Sequence, residues 1–296
     1  MIHKSGFIDI IGDPNVGKST LINSLVGEKI SIITDKPQTT RKKVLGIINK
    51  PNYQMIFSDT PGIIHKPVYL MQKMMMIDIK KSLNSADIIL IITEIGKYKY
   101  ISKDFFDCIT NKNIPIIVLI NKIDKIGIKY KENVLYNTIY YCNKLFPDLE
   151  ILPISALKNI NKDFLMKKIE SLLPEHPPFY PKKYISNRPK RFFVNEMIRE
   201  NIYILYDKEI PYSTEVVTDF FKEKQNIINI RSSIYVEKES QKGILIGKKG
   251  NILNKLKLMS IKNIEHFYEK KIRLLFHVKV SKNFRYNFSK LKHFGY

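Results

Sequence analysis

The chain has 296 residues, 44% hydrophobic and 26% charged, which excludes a disordered polymer and leaves room for two domains of roughly 150 residues each. Its formal net charge is +22, and the excess is uneven: residues 1–180 carry 25 basic and 17 acidic side chains, residues 181–296 carry 25 and 11. Over residues 241–296 the balance is 14 to 2, the acids being Glu265 and Glu269, so although part of the lysine content follows an overall Ile-, Lys- and Asn-rich composition, the C-terminal end is suited to a polyanion, either RNA or an anionic membrane surface.

The first apolar run, Phe7–Ile11, reads as a strand and leads straight into a glycine motif, leaving no room for a targeting segment. Gly12-Asp13-Pro14-Asn15-Val16-Gly17-Lys18-Ser19 fits G-x-x-x-x-G-K-[ST], and Ser19–Val26, beginning with Ser19 and Thr20, has the pattern of a helix. A strand, a glycine loop and a helix in that order form a phosphate cradle: backbone N–H groups wrap a β-phosphate and the helix start faces the same anion. Lys18 is expected on the β- and γ-phosphate oxygens and Ser19 on Mg²⁺.

Strands are expected at Val44–Ile48 and Gln54–Ser58, followed by Asp59-Thr60-Pro61-Gly62. Alone this tetrapeptide is a common turn; after a phosphate loop it predicts Asp59 on Mg²⁺ and the Gly62 amide near the γ-phosphate. Ile63 stands where Ras-like enzymes carry a water-orienting glutamine, and it can neither donate nor accept, so unaided hydrolysis is expected to be slow. A helix is expected over Val68–Leu83; its methionines, Met71 and Met74–Met76, read as core filling.

Ile88–Thr93 and Ile116–Ile120 are apolar strands, far short of the ~20 residues needed to cross a bilayer. The second leads into Asn121-Lys122-Ile123-Asp124, where a carboxylate can accept from both the N1 hydrogen and the 2-amino group of guanine, a donor pair adenine lacks. Lys122 is expected to pack along the base and Asn121 to tie this loop to the phosphate loop. After a helical stretch at Lys131–Leu145 and a strand at Ile151–Ile154, Ser155-Ala156 offers the Ala156 amide to the guanine 6-oxo group. The cysteines, Cys108 and Cys142, lack metal or redox spacing and read as cytosolic thiols, and no histidine has metal spacing.

The alternation of strands and helices predicts a mostly parallel sheet covered by helices on both faces, a GTP-binding domain over residues 1–174. Four prolines between Pro174 and Pro181 suggest a linker at 175–184, and a smaller α+β domain follows at 185–296. There a helix is expected at Arg191–Leu205, strands at Ser213–Phe221 and Ile227–Glu237, a loop at Gly247–Gly250, a helix near Asn251–Lys270 and a strand at Arg273–Val280. Ile246-Gly247-Lys248-Lys249-Gly250 fits the GXXG signature of a KH domain between two helices: the glycines admit a nucleic-acid backbone, the lysines meet phosphates, and Ile246 and Ile252 floor the groove. The order of elements is that of a type II KH domain.

The ordered nucleotide motifs resemble those of the TRAFAC class of GTPases, and the whole chain resembles the bacterial Era family, on Pro14-Asn-Val-Gly-Lys-Ser-Thr20, Lys36-Pro-Gln-Thr-Thr-Arg41, Arg191-Phe-Phe-Val-Asn-Glu-Met-Ile-Arg199, Glu209-Ile-Pro-Tyr-Ser213 and Gly247-Lys-Lys-Gly250. The resemblance implies a cytoplasmic, monomeric GTPase that turns GTP into GDP and phosphate with Mg²⁺. It implies that Thr39 or Thr40, with Thr40 favoured, reaches Mg²⁺ when GTP is bound, and that Asn15 is associated with a K⁺ ion that supplies charge beside Lys18 and Gly62. It further implies binding to the 3′ end of small-subunit ribosomal RNA during assembly of the 30S-type subunit, and allows peripheral contact with the inner membrane. The rival reading is a membrane-surface GTPase whose basic C-terminus binds anionic lipid. Arg41 as a cis arginine finger competes with a structural contact to the switch. With no tryptophan in the chain, Phe284 or Tyr286 is the expected stacking aromatic beyond the last strand. Asp9, inside an otherwise apolar strand, has no sequence-level account.

Overall fold

The computed structural model describes residues 2–97, 114–131 and 133–296. They form two units: residues 1–31, 40–66 and 75–187 in the first, and residues 32–39, 67–74 and 188–296 in the second.

The first unit is a six-stranded sheet, its strands β1 (Lys4–Ile11), β2 (Val44–Asn49), β3 (Tyr53–Asp59), β4 (Ile88–Glu94), β5 (Ile116–Asn121) and β6 (Glu150–Pro153). They are ordered β2-β3-β1-β4-β5-β6, all pairs parallel except the β2–β3 hairpin. β4 is buried along its whole length, as a strand covered on both faces must be. Helices α1 (Lys18–Val26), α2 (Leu70–Asn84), α3 (Asn133–Leu145) and α4 (Lys162–Leu172) connect these strands or follow them. Met71 and Met75 on α2 and Cys142 on α3 are buried, and burial pushes the Cys142 thiol up to about 11, which fits inert packing; Cys108 lies outside the described residues.

The chain leaves β1 between β3 and β4, on either side of which successive connections run in opposite directions. Such a switch point opens a crevice at the carboxyl ends of the strands. The loops after β1, β3, β5 and β6 all emerge there, and they carry the four nucleotide motifs.

The proline-rich stretch, expected as an interdomain linker, is hydrogen-bonded along the first unit. Ser5 N donates to Pro174 O (3.1 Å), His176 N to His3 O (3.1 Å), and Phe179 N and Tyr180 N to Gln54 Oε1 (2.8 and 3.0 Å). Ile47 N donates to Ile185 O at 2.9 Å, covering part of the edge strand β2, and the division between units falls after Asn187. Prolines prevent a helix but not hydrogen bonding through carbonyls and the intervening amides, a distinction composition does not carry.

The second unit contains α5 (Lys190–Leu205), β7 (Thr214–Glu223), β8 (Ile227–Val236), α6 (Glu239–Ile246), α7 (Asn251–Tyr268), β9 (Lys271–Val280) and α8 (Phe288–His293). β7 and β8 are antiparallel, β8 and β9 parallel. One face of this sheet packs on α5, α6 and α7 through Ile230, Ile234, Leu274, Ile198, Leu245, Leu256 and Ile264. Residues 32–39 belong to the same unit: Arg199 of α5, only 2% exposed, donates through Nη2 to Thr39 O (2.8 Å) and through Nη1 to Glu196 Oε1 (2.5 Å). Tyr203 Oη donates to Gln38 O (3.1 Å), and Ile33 N to Glu200 Oε1 (3.2 Å).

Candidate nucleotide site and nucleic-acid interface

The loop Gly12–Ser19 turns sharply out of β1. Gly17 has φ +104°, and a Cβ there would lie 2.2 Å from Asn121 Nδ2; at Gly12 it would lie 2.2 Å from Ile92 O. Close approach of neighbouring loops therefore requires glycine at both positions. Asn121 Nδ2 donates to Val16 O (2.8 Å) while its Oδ1 accepts from Ala156 N (2.9 Å), so one buried amide ties the β1, β5 and β6 loops together.

Lys18 is buried, its ammonium donating to Gly12 O (2.9 Å) and Asp13 O (2.6 Å). Burial lowers it to about 8 against the opposing pull of Asp59 and Asp13. The Ser19 hydroxyl donates to Asp59 Oδ2 (2.8 Å) and lies 3.0 Å from Thr40 Oγ1, which is itself 3.3 Å from Asp59 Oδ2. Asp59 is fully buried, burial raises its carboxyl, and its Oδ1 makes no hydrogen bond. Two hydroxyls and a buried carboxylate with a spare oxygen form a donor set of the kind a hard divalent cation takes. Thr39 does not share it: its hydroxyl lies 2.6 Å from Thr34 Oγ1 and donates to Lys36 O at 2.8 Å.

Thr60 donates to Ile10 O (2.8 Å) behind the Asp59-Thr60-Pro61-Gly62 loop, and a Cβ on Gly62 would meet the Pro14 backbone at 2.9 Å. Ile63 N donates to Gly12 O at 3.2 Å. Arg41 is buried, 2% exposed. Asp124, in the single turn Ile123–Lys125, accepts from Ser155 Oγ at 2.5 Å. Asn15, exposed at φ +64°, accepts through its carbonyl from Lys122 Nζ at 2.5 Å, and Val16 is buried beneath the loop.

Sequence reasoning missed Glu94. It ends β4 opposite Asn121, is 2% exposed, and faces three ammonium groups: Lys122 at 2.9 Å, Lys97 at 3.0 Å and Lys125 at 3.2 Å. Burial pushes its carboxyl up, and the lysines, Lys122 first, outweigh this and hold it at about 2. The available signal was an acid two residues beyond the apolar run Ile88–Ile92, one strand away from the Asn121–Asp124 loop.

In the second unit Gly247 and Gly250, φ +73° and +77°, bracket Lys248 and Lys249 between α6 and α7. Both lysines are exposed, Ile246 is half-buried, and Ile244 and Ile252 are exposed for hydrophobic side chains, 49% and 39%. Of the two aromatics expected beyond the last strand, Phe284 is fully buried, its ring packed on Phe294 of the C-terminal segment. Tyr286 is 56% exposed.

The family described as 50S ribosome-binding GTPase matches residues 7–122, and the KH domain family matches residues 209–285. Fold and site together define a P-loop GTPase that carries a KH domain. GTPase Era of Geotalea uraniireducens is 41% identical over 99% of this chain and 98% of its own, and GTPase Era of Clostridium kluyveri is 40% identical over 99% of each. The chain belongs to the Era GTPase family, and it binds GTP and GDP and hydrolyses GTP. Two solved structures match with TM-score 0.92 and 38% identity over 99% of each chain: Era in complex with MgGDPNP and nucleotides 1506–1542 of 16S ribosomal RNA, and a point variant of Aquifex aeolicus Era bound to GDP·AlF4⁻. Among the described residues no helix is long and apolar enough to cross a membrane.

Proposed function

We propose that this GTPase is a slow nucleotide switch that holds the 3′ end of small-subunit ribosomal RNA in its KH groove and assists maturation of that subunit. The observation that carries the reading is the joint presence of the Ser19–Thr40–Asp59 cluster and the Gly247–Gly250 loop in one chain, in a family one of whose members is seen with MgGDPNP and 16S RNA together.

The chemistry follows from the residues. Lys18 moves its ammonium from the Gly12 and Asp13 carbonyls to the β- and γ-phosphate oxygens, where a positive charge stabilises the loose transition state. Ser19, Thr40 and Asp59 would hold Mg²⁺, which supplies charge neutralisation at the phosphates. The Gly62 amide is directed to the γ-phosphate. Asp124 reads guanine, with its geometry supported by Ser155; Asn121 fixes the loops, and Ala156 N, which donates to Asn121 Oδ1 here, would turn to the guanine 6-oxo group. Asn15, an exposed amide on the phosphate loop, is the side chain suited to a K⁺ ion. Ile63 offers no group to orient water, so turnover rests on positioning and charge.

The test pairs two readouts. Gly247→Asp with Gly250→Asp should abolish binding to an RNA of the small-subunit 3′ end while GDP affinity stays within about twofold, and Thr40→Val should lower Mg²⁺-dependent GTP hydrolysis by about 10²-fold with RNA binding by the GDP form intact, the size seen when one transition-state interaction is removed. RNA binding that survives the aspartates would overturn the groove assignment.

A further inference from the structure

The sheet of the second unit has a second face, opposite the one packed on α5, α6 and α7. Ile228, Ile230, Ile234, Ile272 and Leu274 point to the core, and by strand alternation their neighbours point away. Register sets these outward residues in rows: Phe220, Arg231 and Leu275 form one, and Lys222, Asn229 and Arg273 the next. Phe220 is 41% and Leu275 52% exposed, and Arg231 stands with its guanidinium carbon 5.8 Å from the centre of the Phe220 ring. Lys222, Arg231, Lys271, Arg273 and Lys279 are exposed, whereas the exposed acid on this part of the face is Asp219, which accepts from Ser233 Oγ at 2.5 Å. The far end is closed by the C-terminus: Tyr296 Oη donates to Glu215 Oε2 at 2.6 Å and Phe294 packs on Tyr235, ring centres 4.9 Å apart.

What remains open is a platform with an aromatic ring and an aliphatic side chain on either side of a guanidinium, set in a field of cations. A solvated lysine face does not need Phe220 and Leu275 exposed in register, and an anionic membrane surface does not need an arginine over a ring. Bases stack on rings and guanidinium planes while phosphates meet the flanking cations, and that pairing of features is how single-stranded RNA is held on a sheet.

We propose that the open part of this face, centred on Phe220, Arg231 and Arg273, is a second single-stranded RNA surface, separate from the Gly247–Gly250 loop, which lies between two helices of the opposite face. The inference rests on the reading that RNA is the ligand of this unit. A GXXG loop clamps about four nucleotides, so a longer strand has length to spare for a second attachment.

The test uses the full chain and an RNA of about 40 nucleotides from the small-subunit 3′ end, far longer than the four that a GXXG loop holds, with affinity followed across salt concentration. Arg231→Glu with Arg273→Glu should weaken binding at least tenfold and lower the slope of log K against log salt by about 2, one unit for each phosphate no longer neutralised. Phe220→Ser should weaken binding with the slope unchanged, and Arg231→Lys with Arg273→Lys should restore the slope. Thermal unfolding checks that each variant folds; all substituted side chains are solvent-facing. Ultraviolet crosslinks should map to β7–β9 as well as to the glycine loop. If both sheet variants bind like the wild type while the Gly247→Asp, Gly250→Asp variant loses RNA, the second surface is overturned and the KH reading stands. If the wild-type protein does not bind the RNA at all, the KH reading itself fails. A loss reproduced equally with heparin would also overturn the proposal, since a polysaccharide offers charge without bases.

Discussion

Lys18 would be an ordinary cation on a surface; sealed under its own loop it is lowered to about 8, burial outweighing Asp59 and Asp13. Phosphate binding favours the charged form, so the bound value lies higher. Below pH 8 the ammonium is present in both states and GDP affinity should be flat. Between pH 8 and 9 the free protein must take up a proton to bind, and affinity should fall towards tenfold per pH unit. Titration calorimetry over that range checks this, and a flat profile to pH 9 would count against it. Asp9 presents the opposite case, a group with no evident task. It is 1% exposed, neither oxygen is hydrogen-bonded, and its neighbour in register is Ser58, whose hydroxyl is likewise unbonded. Removing a buried polar group that lacks partners relieves about 1–3 kcal/mol of desolvation. Asp9→Ala should therefore raise stability by that order in urea unfolding at pH 7, and a loss of stability would reveal a partner.

Elements were legible to the degree that one residue pattern fixed them. β1, β3, β4 and β5 begin or end within three residues of their sequence-based bounds, since an apolar run ending in a glycine or polar motif has few other readings. The site loops followed from those strands. Two features were not legible. The Glu94 cluster depends on which strand lies beside β5, a tertiary fact, and the hydrogen bonding of residues 174–187 depends on an uncovered sheet edge. The Gly247–Gly250 loop illustrates how fine the remaining information is. Both glycines have φ near +75°, but Gly250 with ψ 8° is left-handed, where an alanine costs about 1–2 kcal/mol, whereas Gly247 with ψ 175° lies in a region essentially confined to glycine. At Gly250 a Cβ meets nothing within 4 Å, whereas at Gly247 it meets Ile252 Cγ1 at 2.6 Å. Gly250→Ala should thus be tolerated with RNA binding within a few-fold, while Gly247→Ala should displace Ile252 from the groove floor and weaken binding by more than tenfold. Equal effects in a filter-binding titration would mean that neither the Ile252 contact nor the backbone difference between the two glycines sets the groove.

At the scale of the molecule, the units do not follow the order of the sequence. Residues 32–39 and 67–74 are taken into the second unit although they are flanked on both sides by the first. Composition cannot show this, because the decisive hydrogen bond joins residues 160 positions apart: Arg199 to the carbonyl of Thr39. The guanidinium is as buried as the core, and Glu196 is its carboxylate partner. Such a pair adds little stability over apolar residues of the same size, but breaking it from one side strands a buried charge at a cost of about 3–5 kcal/mol. Arg199→Leu should therefore destabilise the chain by that order, and Arg199→Leu with Glu196→Leu should recover most of the loss. Amide exchange should quicken in residues 32–39 and in α5 together in the single variant, since Thr39 loses its donor and the helix its counterion. A single-variant cost below about 1 kcal/mol, the range of an exposed pair, would mean that the segment 32–39 is held by Gln38–Tyr203 and Ile33–Glu200 and that Arg199 is dispensable to it.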